Sequence, residues 1–133
     1  MWKNRKWLNL IKIDMPNADF ILTRKRNPED TSEAPIAREY GFTDYHKIPR
    51  DKAGIFMFYD AQDNLMFVGK ARKLRMRIRK HFEDNVSDIK NHRDDVHKIV
   101  VCVVESAMER DIYETFIINE LQSKYNTDKA FFR

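Results

Sequence analysis

Residues 55–69 read IFMFYDAQDNLMFVG, two apolar runs of five residues around five polar ones. Runs this short, rich in aromatic and branched side chains, fit strands better than helices. Asp60, Asp63 and Asn64 lie between them and favour turns. A chain with this stretch near its middle is committed to an antiparallel hairpin. Two strands alone are marginal in water, so the hairpin needs further apolar partners.

The sequence downstream supplies them. KARKLRMRIRKHF, residues 70–82, has no helix breaker. Ala71, Leu74, Ile78 and Phe82 recur at helical spacing, which predicts a helix packing one face on the hairpin. EDNVSDIKNHRDD reads as a loop with room for a short helix. HKIVVCVVES is β-branched and predicts a third strand. Ser106 stands three residues before Glu109, the spacing of a capping box. AMERDIYETFIINELQSKY then predicts a second helix, with Ile112, Phe116, Ile117 and Leu121 as its buried stripe. Strand, strand, helix, strand, helix implies an α+β fold: a small three-stranded antiparallel sheet flanked by helices.

The chain before residue 53 has a different character. Three of its four prolines precede residue 36, and Pro49 closes the segment. NPEDTSEAP, residues 27–35, is a loop signal. WLNLIKI fits a short strand and a short helix equally. The expected division is an N-terminal extension over 1–52, packed on the domain, the domain itself over 53–127, and a tail over 128–133. At 133 residues, with 42% hydrophobic and 12% aromatic content, the chain can bury one real core. Its one cysteine, Cys102, lies in the apolar run IVVCVV and reads as a core thiol in a reducing, cytoplasmic setting. No apolar run reaches 18 residues, so no membrane span is expected. The N-terminus lacks the uninterrupted apolar stretch of a signal peptide.

Charge is informative by position. The formal net charge is only +4, yet seven cations and no acid lie between Lys70 and Lys80. On one helix, Lys70, Arg77 and His81 would share a row. Arg77, beside Leu74 and Ile78, would be braced at the edge of the packed face and able to grip a phosphate. Arg72, Lys73, Arg75, Arg79 and Lys80 would track a nucleic-acid backbone and make binding salt-dependent. The plainer reading is a solubilising face, but such faces usually mix signs. An anionic membrane is a poorer partner, because the apolar face is modest.

Several of these residues carry a resemblance. Gly54-Ile55-Phe56 is followed by Phe67-Val68-Gly69, eleven residues from Phe56 to Phe67. Then come Lys70-Ala71 with Leu74 and Arg77, and Glu114 with Asn126 twelve residues on. This ordered set resembles the GIY-YIG nuclease family, most closely the N-terminal nuclease domain of the excision-repair subunit UvrC, over about residues 52–127. The resemblance implies that Arg77 contacts the scissile phosphate. It implies that Glu114 is the sole carboxylate ligand of Mg²⁺ or Mn²⁺, with Lys70 and Asn126 in support. Gly54, Phe56, Phe67 and Gly69 would be scaffold positions, and His81 would stand near the site. Glu109 fits the family's helix. One carboxylate leaves coordination positions for water and phosphate oxygens. Gly69 would end a strand where bulk obstructs the approaching backbone. Without the resemblance, Glu114 also reads as a solvated helix acid.

The chain departs from the family where its two namesake tyrosines should stand: both are phenylalanine, Phe56 and Phe67. The resemblance makes the second tyrosine the leading candidate for deprotonating the attacking water. Losing a general base costs about 10²–10⁴-fold. Three routes stay open. Another base can serve, His81 first, with Lys70 and Arg77 expected to lower its pKa. Tyr59 is a weaker choice, because strand alternation points it away from Phe56. A metal-bound water can react slowly without a dedicated base. Or the domain has kept binding and lost cleavage. The implied function is a metal-dependent endonuclease acting on DNA phosphodiesters, with activity reduced if no base replaces the tyrosine. The alternative is a silent nucleic-acid-binding module. RNA stays open as a partner. Arg24, Lys25 and Arg26 read either as substrate contacts or as part of a segment that completes the fold.

Overall fold

The structure, a computed structural model, describes residues 13–25, 36 and 39–126. Residues 7–12 of WLNLIKI, the loop 27–35, Arg26 and the tail 128–133 lie outside the described residues. The elements are β1 (Phe20–Thr23), β2 (Gly54–Tyr59), β3 (Leu65–Ala71), α1 (Leu74–His81), β4 (Lys98–Val103) and α2 (Ala107–Glu120). Short 3-10 turns occupy Tyr45–Lys47 and Arg93–Asp95.

The sheet is antiparallel, in the order β1-β4-β2-β3. It therefore has four strands, not the expected three. The extra strand comes from the N-terminal segment, with Phe20 opposite Val101 and Thr23 opposite Lys98. FILT carries little sequence signal because it buries only Leu22, while Ile21 stays 60% exposed. The hairpin forms as expected, with Phe56 opposite Gly69 and Phe58 opposite Phe67. Asp60 builds its turn, accepting from the backbone N–H groups of Gln62 and Asn64 at 2.9 Å each.

Strand alternation divides the core between two faces. Phe56, Phe58 and Phe67 pack with Leu74, Ile78 and Phe82, and with Ile36, Phe42 and Ile48 from the N-terminal segment. Ile55, Met57 and Val68 pack on the other face with Ile117 and Ile118 of α2. The helices thus cover opposite faces. Cys102 is buried, and burial pushes its thiol up to about 11, as befits a core residue.

Two helix expectations need correction. First, α1 starts at Leu74, so Lys70 and Ala71 belong to β3. Pairing of Ile55 with Lys70 and Gly54 with Ala71 carries the strand past Gly69 and overrides the helical propensity of KARK. Gly69 therefore does not end the strand. Second, α2 buries Arg110, Glu114, Ile117, Ile118 and Asn119, while Ile112 and Leu121 are 46% and 48% exposed. Two charged residues have turned inward, and apolar periodicity cannot register that. The cap is as expected: Ser106 Oγ accepts from the Glu109 N–H at 3.3 Å.

The two glycines of the hairpin solve packing problems. A Cβ on Gly54 would lie 2.0 Å from the Cys102 carbonyl oxygen. A Cβ on Gly69 would lie 2.2 Å from Phe56 Cζ. Gly69 makes room for the ring of its cross-strand partner.

Candidate active site

β3 is the edge strand next to β2. Its alternation sends Phe67 to the α1 face and Val68 to the α2 face. A hollow of about 290 Å³ spans this edge, lined by Phe67, Val68, Gly69 and Lys70 of β3, Arg77 and His81 of α1, Glu114 of α2, Asp88 and Asn126. The sheet edge thereby joins side chains from both faces of the molecule.

The chain after α2 closes the edge. Lys124 N–H and Tyr125 N–H donate to the carbonyls of Leu65 and Met66 at 3.2 and 2.9 Å. The Asn126 amide then acts as a strand would: Val68 N–H donates to Oδ1 at 2.7 Å, and Nδ2 donates to the Val68 carbonyl at 2.8 Å. Ser123 Oγ donates to the same Oδ1. An edge with its hydrogen bonds taken up cannot recruit a foreign strand.

Glu114 is only 7% exposed. Lys70 Nζ stands 4.0 Å from its Oε1 and also pairs with Asp111. Lys70 is thus not in a helical row with Arg77 and His81; it reaches the same hollow from the strand. Arg77 is exposed on α1 and makes no ion pair with any described residue.

His81 sits among three phenylalanine rings, with centroid distances of 5.3 Å to Phe56, 5.8 Å to Phe58 and 4.9 Å to Phe67. Its Nδ1 lies 2.7 Å from Ser87 Oγ. Burial lowers its pKa to about 4; Asp84 opposes the shift, and Arg77 and Arg93 add to it. The direction matches expectation. The main cause is burial rather than charge, and the second cation is Arg93 rather than Lys70.

The basic run divides into braced and exposed side chains. Arg75 is a fold brace: Nε donates to the Ile48 carbonyl at 2.6 Å, Nη2 donates to the His46 carbonyl, and the guanidinium lies 5.9 Å from the Tyr45 ring. Arg79 pairs with Glu83 at 2.7 Å. Arg72, Lys73 and Lys80 are exposed, with no ion pair among the described residues. Tyr59 packs on the α2 face and donates to Met57 Sδ, away from the hollow. Arg24 donates to the Asp94 carbonyl at 2.8 Å, and Lys25 pairs with Asp44, so both are tied into the fold. Ser87, Asp88, Arg110 and Asp111 went unmarked in the sequence. None lies in a motif; only the fold brings them to this edge.

Arg77, Glu114 and Asn126 are thus gathered at one hollow by three separate parts of the chain. A family model, that of the UvrC-like GIY-YIG domain, matches residues 52–127. The chain belongs to this family. It is 59% identical over 124 residues to the uncharacterized protein YurQ of Bacillus subtilis, covering 93% of this chain and 100% of YurQ. It is 32% identical over 77 residues to UvrABC system protein C of Alcanivorax borkumensis, covering 56% of this chain and 13% of that relative. The GIY-YIG chain therefore spans a small part of its UvrC relatives and the whole of YurQ. Among solved structures it is similar to the magnesium-bound GIY-YIG N-terminal endonuclease domain of UvrC from Thermotoga maritima, with a TM-score of 0.55 and 21% identity over 63% of this chain and 97% of that one. A tyrosine-to-phenylalanine point mutant of that domain, bound to the catalytic divalent cation, matches with a TM-score of 0.55 and 22% identity over 63% of this chain and 96% of that one. At these identities the likeness establishes the fold. No described helix is long and apolar enough to cross a membrane.

Proposed function

We propose that this domain is a divalent-metal-dependent endonuclease that cuts one strand of DNA at the hollow on the β3 edge. The observation that carries the reading is the meeting there of Glu114, Lys70, Arg77 and His81 from α2, β3 and α1. Family membership supports the reaction class. The donor chemistry suits a hard cation: a nine-tenths-buried carboxylate faces an open hollow with room for water and phosphate oxygens. Glu114 would hold Mg²⁺ or Mn²⁺. When bound, such an ion supplies Lewis-acid stabilisation of the charge that builds on the phosphate and the leaving oxygen.

The chain's own residues do the rest. Arg77 orients the phosphate and neutralises its developing charge. Lys70 fixes the Glu114 carboxylate and adds positive potential. Asn126 holds β3 in register beneath the site. His81, neutral at physiological pH, accepts the proton of the attacking water in the tautomer whose Nδ1–H donates to Ser87 Oγ, which leaves Nε2 its lone pair. A base of pKa about 4 is weak, so a slow enzyme is expected. The phenylalanines form the apolar wall that keeps this imidazole neutral. The Thermotoga maritima mutant carries its cation with a tyrosine replaced by phenylalanine, which supports metal binding in a domain that has phenylalanines by nature.

The missing hydroxyls at Phe56 and Phe67 favour a second reading, a domain that grips nucleic acid without cutting it. A titration with Mn²⁺ followed by electron paramagnetic resonance separates the two. The nuclease reading expects one Mn²⁺ bound in the wild type and none in Glu114→Ala. Equal Mn²⁺ binding by both proteins would remove Glu114 from the metal site and favour the binder.

A further inference from the structure

A second, larger hollow of about 620 Å³ adjoins the first and shares Lys70 and Arg77 with it. Its other charged lining residues are Arg72, Lys73 and Arg110, and no acid among the described residues lines it. Arg110 is unusual. It is only 7% exposed, and it pairs with no carboxylate among the described residues. Both of its hydrogen bonds run through Nη1, to the Val104 carbonyl at 3.0 Å and the Glu105 carbonyl at 2.9 Å. Nε and Nη2 have no hydrogen-bond partner among the described residues, yet they are not sealed in the core. Nη1 is satisfied by two carbonyls, and the other two nitrogens are donors left accessible to an acceptor. Here the side chain is braced on backbone at one nitrogen and lines the basic hollow.

We infer that this second hollow binds a backbone phosphate of the DNA strand next to the one being cut. The inference rests on the nuclease reading for the identity of the neighbouring site. Arg110 forms the floor, held rigid by two carbonyls, and Arg72 and Lys73 close on the phosphate from the rim. Lys70 and Arg77 stand between the hollows and touch both phosphates. The strand therefore runs along the β3 edge, past the start of α2, and is held at two consecutive points. Such a clamp fixes the scissile bond in the hollow without reading bases.

The test is equilibrium binding of a fluorescently labelled DNA oligonucleotide, by anisotropy, over a salt series with EDTA present so that no cleavage occurs. The proteins are wild type, Arg72→Ala/Lys73→Ala, Arg110→Gln and a control, Lys47→Ala/Lys90→Ala, which removes two charges away from both hollows. The expected result is that the rim double mutant loses about tenfold or more in affinity and about 2 in the slope of log K against log salt. Arg110→Gln, checked by thermal melting for folding, should lose affinity and about 1 in slope, while the control keeps the wild-type slope. If the rim double mutant behaves like the wild type, or the control loses as much slope as the rim pair, the subsite is overturned while DNA binding stands. Absence of salt-dependent DNA binding in the wild type would overturn the subsite and the DNA-cutting reading together.

Discussion

At the residue scale, His81 ties chemistry to stability. Its folded pKa, about 4, lies below the ordinary value of 6.5, so the unfolded chain binds more protons between those values. The stability it contributes is fully present above pH 6.5 and is lost as pH falls towards 4. The loss should be on the order of 3 kcal/mol. Urea unfolding at pH 7 and pH 4.5 should show the protein weaker at the lower pH, and His81→Phe should flatten part of that difference. On the proposed nuclease reading the same titration would govern the base. Nicking should hold a plateau above about pH 5 and fall below it, and His81→Phe should slow it about 10²-fold at pH 7 without abolishing DNA binding. Phe67 already lines the hollow. Phe67→Tyr should therefore raise the nicking rate about tenfold or more, read as initial rates at matched metal concentration.

At the scale of elements, β3 organises the site, and its two neighbours can be tested separately. Gly69→Ala forces a methyl into the ring of Phe56, which is fully buried and packs on Phe58, Phe67 and His81. It should cost about 1–3 kcal/mol, seen as a lowered Tm, with Gly69→Ala/Phe56→Leu recovering part of the loss. Asn126→Ala removes two hydrogen bonds from the β3 edge and should cost about 1–3 kcal/mol. This scale also shows what the sequence could reveal. The hairpin, β4 and the Ser106 cap were legible, because alternation, branching and capping are local signals. The four-residue β1 was not, since one buried leucine makes no pattern. The start of α1 was misplaced, because Lys70 and Ala71 are good helix formers held in a strand by pairing with Ile55 and Gly54. Motif spacing marked Arg77, Glu114 and Asn126. Asp88, Ser87 and Arg110 needed the fold, since nothing local distinguishes them from surface residues.

At the scale of the whole molecule, the sheet separates two cores, and the candidate site residues line a hollow where its β3 edge joins the two faces. The N-terminal segment supplies β1 to one edge and Ile36, Phe42 and Ile48 to the α1 side, so removing it should unfold the domain rather than trim an arm. Within the basic run Arg75 bonds the Ile48 and His46 carbonyls and Arg79 pairs with Glu83, while Arg72, Lys73, Arg77 and Lys80 are exposed with no ion pair among the described residues. The proposed function has this edge cutting DNA through Glu114, with Phe56 and Phe67 standing where the sequence resemblance expects tyrosines. The most direct measurement is nicking of supercoiled plasmid with Mg²⁺ and with Mn²⁺, wild type beside Glu114→Ala from parallel preparations. The expected result is slow, metal-dependent nicking by the wild type that disappears in the mutant while DNA binding in EDTA is kept. Equal nicking by the two proteins, or none by a wild type that binds both DNA and Mn²⁺, would contradict it.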